Sequence, residues 1–526
     1  MMRLLCLFAA VAGCWEDDRP TQWDRTRAVL GPIPLQTQVA YIDSALDRVT
    51  LISLADTEPV ITHSHIGRNA LYAIPSPDRQ QLFVITRGEE AVKKGQIDQP
   101  PLFWVVDAQH PLVKPVAYQI GSPFDRIAVS PDSTVAIAYF SGGGVDAAGF
   151  FRNPNELAVI DLTRPPNDTD NPTLDTIRSF GATPQGIALS PPMVVPGAAD
   201  PTPRTFAFVL ESNNLTVLDA THPARTDISI RLQLGATPVI PREIVFAPNS
   251  ASAYVRSDNA RDVLQVLLEP DVPADPTSND YRPLLAELGA GGGPTDIAVY
   301  DDPTLHRFLL ASTPNTGELV VIDADTAQFR SIAIADPIDR IELFPAGMSA
   351  PHQALLASIG AELGRLHVVD LDNIQNPLTQ ARVHDIVLDQ PVRDVVPVPQ
   401  RNLALVVHDD ARTVLGLLDL STLSTSPLLG VGRLDSYDFS PDGSYLIGAT
   451  ANIARIGFVE LDNLHPSDLR LDDLPAHVVS TENGKIFVDH ADVLGRATVI
   501  PSPTATRADA IVISGFLTTD LLDEGL

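Results

Sequence analysis

Along the chain, short apolar runs alternate with polar positions at a period near two, and each run stops at a turn. In "RIAVSPDSTVAIAY", residues 126–139, a Pro-Asp pair separates two such runs. Alternation of this kind puts successive side chains on opposite faces of a strand, so the phrase predicts a hairpin. The clearest copy is "FSPDGSYLIGA", where Ser440, Pro441, Asp442 and Gly443 stand in the order favoured by a type I turn, the proline fixing φ at its second position. Turn prolines after an apolar run recur at Pro77, Pro131, Pro191, Pro248, Pro303, Pro345, Pro399 and Pro441. A second strand signature follows each of them: "LFWVVDA", "ELAVIDL", "NLTVLDA", "VLQVLLE", "ELVVIDA", "RLHVVDL", "VLGLLDL" and "RIGFVEL".

Junctions rich in glycine or proline, such as "GSPFDRI", "GATPQGI" and "GATPVIP", separate one unit from the next. Four short strands per unit of about 40 to 60 residues is the spacing of propeller blades. A helical solenoid fails on the apolar period and on the crowding by proline. A β-sandwich has no need of the same hairpin eight times. The predicted fold class is therefore all-β, a β-propeller of four-stranded blades. Eight units run from about residue 67 to 470, and "VAYIDSALDRVTLISL" before them and "HVVSTENGKIFVDHADVLGRATVI" after them read as further blade material. Eight blades are expected, with seven to ten allowed and the two termini sharing the closing blade, an arrangement that removes exposed sheet edges.

These residues resemble the YVTN-type and WD40-like β-propellers of bacterial surface and periplasmic proteins. The family's blade pattern is matched by "GSPFDRIAVSPDS…ELAVIDL" and by "GGGPTDIAVYDDP…GELVVIDADT", and the resemblance runs from residue 38 to 516. It implies a fold and not a reaction. The propeller is assigned to residues 38–520, with a short tail at 521–526.

The N-terminus changes the compartment. "MMRLLCLFAAVAGC" sets Arg3 before an apolar run, Leu4 to Val11, and small residues before Cys14, the order of an export signal and too short a run to span a bilayer. Its ending resembles the lipobox of bacterial lipoproteins, which implies a signal peptide at 1–13, lipid on Cys14, and a flexible tether to residue 37. Cleavage there removes Cys6, so no thiol remains for disulfides or metal. Trp15 in place of an aspartate favours, by analogy with such lipoproteins, the outer membrane, facing either the periplasm or the outside.

Composition agrees with many short elements: 46 prolines stand against four methionines in 526 residues. The formal charge of −30 argues against a grip on nucleic acid or on anionic headgroups, so the membrane contact expected is the N-terminal lipid alone. A monomer is expected.

Candidate chemistry is sparse. Aspartates ending the repeated strand (Asp107, Asp161, Asp219, Asp323, Asp370 and Asp419) recur blade by blade, which fits turn residues bonding their own backbone better than one catalytic cluster. His63 and His65 share one face of a strand, two imidazoles without a nameable third ligand. Asp168, Asp170 and Asp175 offer hard oxygens but lack the glycine and glutamate of a calcium loop. No nucleophile elbow, zinc helix, phosphate loop or haem motif occurs, so no metal and no cofactor are assigned and catalytic residues stay unknown.

Two insertions stand out. Residues 87–101 and 141–155 occupy the same place in adjacent units, and the family's topology puts both on the face where blade connections lie. The second carries Phe150, Phe151 and Arg152, residue types enriched at protein contacts. The expected function is a non-catalytic scaffold at the bacterial envelope that binds a protein or glycan through these loops. The rival is a lactonase-like hydrolase with its site at the mouth of the channel.

Overall fold

The computed structural model describes residues 27–89, 98–142, 144–145, 151–178, 184–234, 237–248, 250–273, 275, 278–301, 306–345, 352–360, 362, 364–372, 374, 382–428 and 432–518. Ten four-stranded antiparallel sheets follow one another along the chain, spanning residues 29–65, 70–119, 126–176, 184–231, 240–288, 296–333, 340–387, 394–427, 436–470 and 477–514. They are numbered here as blades 1 to 10. Each is built from four strands in chain order, and in blade 3 a separate two-stranded ribbon intervenes between the second and third. The first strands adjoin one another around a ring, Val29–Pro34 of blade 1 meeting both Ala70–Pro75 of blade 2 and His477–Ser480 of blade 10. The protein is a ten-bladed β-propeller, at the top of the expected range.

Burial follows from that arrangement. Second and third strands lie inside, as in Gln38–Asp43, where every residue is buried, whereas the fourth strand Val60–His65 is largely exposed. A blade cannot bury either face alone, so the core is divided into ten apolar clusters, one for each pair of neighbouring blades. One of them closes the ring: Val39, Tyr41, Ile52 and Leu54 of blade 1 pack against Val479, Phe487, Ala497, Val499, Phe516 and Leu517 at blade 10.

The repeated turn is the hairpin between the two innermost strands of a blade. The hydroxyl of Ser130 donates to Asp132 (2.6 Å) and accepts the N–H of Val135 (3.0 Å). Ser76 with Asp78 (2.5 Å) and Ser440 with Asp442 (2.7 Å) repeat the bond, and Thr481 with Asn483 (2.7 Å) reproduces it in blade 10. Serine and aspartate together thus satisfy the donors left free where the chain reverses.

Two expectations are corrected. The termini do not share a blade: residues 29–65 and 477–514 each complete a sheet of their own. Closure is a clasp of side chains instead. Arg27 pairs with Asp43 (2.7 Å) and donates to the carbonyls of Val493 (2.8 Å) and Leu517; Arg48 donates to Thr518 (2.7 Å), and Asn483 to Leu54 (2.8 Å). The other correction concerns the segment read as tether, whose end, Val29–Pro34, is the innermost strand of blade 1. "VLGPIP" reads poorly as a strand, but an edge strand tolerates proline and a bulge, and the register shifts between Leu30 and Ile33.

Candidate functional site

Strand direction divides the disc into two faces. Hairpins between first and second strands, and between third and fourth, lie on one, here the hairpin face. Turns between second and third strands, and links from blade to blade, lie on the other, the connection face. The insertions at 87–101 and 141–155 join second to third strands of blades 2 and 3, so both leave the connection face.

At the base of the first insertion Glu89 and Gln99 exchange backbone hydrogen bonds (2.9 and 2.8 Å), and Arg68 pairs with Glu89. Gly88, at φ +77°, has the backbone of Gln99 and Pro100 against it, leaving no room for a side chain. The second insertion contains a two-stranded ribbon, Gly144–Val145 paired with Phe151–Arg152. Phe151 and Arg152 are thus strand residues of that ribbon. Phe150 lies outside the described residues, as do Cys14 and the tail at 521–526.

Five of the six turn aspartates accept N–H groups of the turn that follows them, whereas Asp370 meets the side chains of Gln353 and His384. Asp107 accepts the N–H groups of Gln109 and His110, Asp323 those of Asp325 and Thr326, and Asp419 those of Ser421 and Thr422. Asp161 and Asp219 do the same. Asp219 has a further role: with Asp280 it encloses the fully buried Arg204 (3.1 and 2.7 Å), whose guanidinium lies over the rings of Phe206 and Tyr281. This cluster joins blades 4 and 5 on the hairpin face. Nothing in the local sequence marks it, because Arg204 and Asp280 sit in separate loops.

His63 and His65 lie exposed on the outer strand of blade 1, His63 bonded to Thr50 (3.0 Å). Asp168 pairs with Arg164 (2.8 Å), and the acidic loop is organised by the buried Asn171, which accepts the N–H of Asp161 (3.0 Å) and donates to its carbonyl (3.0 Å). Among the described residues no three His, Cys, Asp or Glu side chains converge in a metal-binding arrangement.

Along the inner wall, five consecutive blades carry an acid on the first strand: Glu243, Asp296, Glu342, Asp394 and Asp438. Arginine neutralises three of them, Arg256 at Glu243 (2.8 Å) and Arg340 at both Glu342 (2.7 Å) and Asp394 (2.9 Å). The other two bind the next blade. Asp296 accepts the N–H of Ile341 (2.6 Å), and Asp438 that of Ser480 (2.7 Å). Burial pushes the Asp296 carboxyl up to about 7, against the pull of that N–H, and the charges of Glu243 and Glu342 add to the rise. Burial raises Asp438 as well, against its two N–H donors.

A relay missed by sequence reasoning crosses the closing joint on the connection face. The buried Tyr41 hydroxyl donates to Asp489 (3.0 Å), and the other oxygen of Asp489 meets Nδ1 of His477 (3.2 Å), a half-exposed imidazole at the start of an inner strand. Burial first, and then the Asp489 charge, hold the Tyr41 phenol well above its ordinary range. Elsewhere, a cleft of about 550 Å³ on blade 9 opens beside the facing glycines Gly448 and Gly457; its Arg455 and Asp468 pair with each other (2.8 Å).

No family model matches the chain, and no curated protein matches it in sequence. Among solved structures it is similar to dihydro-heme d1 dehydrogenase NirN, solved in complex with DHE, at 14% identity over 84% of this chain and 78% of that one, with a TM-score of 0.40. Nothing about this chain's chemistry follows from a likeness at that level.

Proposed function

We propose that this propeller is a lipid-anchored, non-catalytic scaffold of the bacterial envelope, of the YVTN-type its blades resemble, anchored at Cys14 and binding an envelope protein or glycan through its connection face. The observation that carries this reading is the pair of insertions in adjacent blades, both rising from one face of a rigid ring, one of them built as a β-ribbon. Long loops on a rigid scaffold are where binding residues concentrate. The test is affinity capture from envelope extract with the intact chain beside a twin shortened across 141–155. A partner held by the intact chain and lost by the twin supports the reading, whereas equal captures reject the loop as the site.

The rival, a lactonase-like hydrolase, has one observation in its favour. In Tyr41, Asp489 and His477 a carboxylate orients an exposed imidazole, as a general base requires. Turnover of lactone or ester substrates that disappears in His477→Ala would establish it.

A further inference from the structure

The described chain begins at Arg27, on the connection face against the turn of blade 10, where Arg27 donates to the Val493 carbonyl. The end of the last blade returns to the same place, Leu517 N–H bonding the Leu494 carbonyl (3.0 Å) and Gly515 N–H that of Gly495 (2.7 Å). Around this exit the connection face presents four exposed apolar side chains, beside the exposed acids Asp472 and Asp492. Val493 is 77% exposed and Leu494 54%, on one turn; Leu474, 46% exposed, is in the link from blade 9 to blade 10, and Ile453, 52% exposed, is in the matching turn of blade 9. The three loops are tied together, Leu471 N–H bonding the Ala454 carbonyl (2.9 Å) and His490 Nδ1 meeting the Leu474 carbonyl (3.0 Å).

We infer that Ile453, Leu474, Val493 and Leu494 form a docking patch for a lipid surface, which turns the connection face toward the membrane. The inference rests on the anchoring reading for Cys14. From Cys14 to Arg27 are thirteen residues (27 − 14), at most about 45 Å when fully extended and about 20 Å as a coil. A tether that short favours the face from which it leaves. Apolar side chains standing out of a face held near a bilayer enter its interfacial layer, as Val493 and Leu494 are placed to do. The formal charge of −30 argues against attraction to anionic headgroups as the cause, so the contact is read as apolar and suited to a zwitterionic surface. The hairpin face has exposed apolar residues too, Leu112 and Val113 on blade 2 and Val272 on blade 5, but they lie on the side of the disc opposite the chain exit.

Amide exchange on phosphatidylcholine vesicles tests this. The chain from Cys14 onward contains all ten blades, and Cys14 is its only cysteine, so it couples to a maleimide phospholipid in the vesicle. Coupling is expected to slow exchange about tenfold in 450–454, 471–476 and 490–495 and to leave 109–115, with its own exposed Leu112 and Val113, unchanged. The Val493→Asp/Leu494→Asp variant, coupled equally well, should lose the protection. Equal exchange in wild type and variant overturns the inference. So does protection present before coupling, which means that the chain's own N-terminal residues or a second copy cover the patch. The mass of the N-terminal peptide from cells tests lipidation of Cys14 separately, so failure of the anchor and failure of the patch are read apart.

Discussion

Gly443 shows how much a single position carries in the repeated hairpin. It sits at φ +65°, and a Cβ there would stand 2.3 Å from the Pro399 carbonyl of the preceding blade. Ser133 occupies the matching position of blade 3 at φ +59° as a side-chain-bearing residue. Gly443→Ala should therefore cost about 2 kcal/mol, from the left-handed backbone and the close approach together, while Ser133→Gly should be neutral or stabilise by up to about 1 kcal/mol. Denaturant titration of both variants checks the contrast. Arg204 is the other extreme: removing it strands Asp219 and Asp280 with one fewer counter-charge in a buried site. Arg204→Met should cost about 3 to 5 kcal/mol. Burial pushes the Asp280 carboxyl up, but the Asp200 N–H and the two arginines outweigh this and hold it below its ordinary range. Its share of stability is present above the unfolded carboxylate range and is lost as pH falls through the lowered value, a loss that Arg204→Met should shrink, since the Asp200 N–H and Arg225 remain.

At the scale of elements, the joints between blades differ in kind. Between blades 6 and 7 the joint includes Asp296, whose carboxyl is raised to about 7. An acid raised on folding binds a proton in the folded state that the unfolded chain has already released. Stability from this joint is complete below the unfolded value of about 4, falls as pH rises toward 7, and then levels. Asp296→Asn, which keeps an acceptor for Ile341 without the charge, should raise the unfolding midpoint at neutral pH and flatten its slope between about pH 4 and 7. A fall in midpoint at every pH would contradict this. These elements also divide what the sequence makes legible from what it hides. "SPDS" and "SPDG" announce their hairpins because turn chemistry is local, and the strand that follows repeats eight times, six of them ending in aspartate. Val29–Pro34 is hidden because an edge strand carries Gly31, Pro32 and Pro34 without penalty. Tyr41 and Asp489 are 448 positions apart, so no spacing rule could pair them. Both insertions could be placed on one face from the topology that the family resemblance implies, but not the apolar patch, which depends on exposures that only the closed ring defines.

For the whole molecule, ten shared cores make stability a sum over neighbours closed into a circle, without a shared sheet at the join. Every other joint is also crossed by the chain passing from one blade to the next, so the joint between blades 1 and 10, which has the clasp and its core alone, is the one expected to open first. Arg27→Ala removes the pairing with Asp43 and two carbonyl contacts, and should loosen blade 1 from blade 10 before the rest of the ring opens. Faster amide exchange in residues 38–43 and 486–489 than in 244–255 would register it, and uniform exchange around the ring would refute it. On the proposed reading the chain leaves toward its anchor at this same join, which would set the binding face, the exit and the apolar turns on one side of the disc. Hydroxyl-radical footprinting of the protein in intact envelopes tests that coincidence most directly. The account predicts that the connection-face turns at 450–454 and 490–495 and the insertion of blade 3 are protected, while the hairpin turns at 76–79, 130–133 and 440–443 react as in the free chain. Equal reactivity of the two faces, or protection of the hairpin face alone, would contradict it.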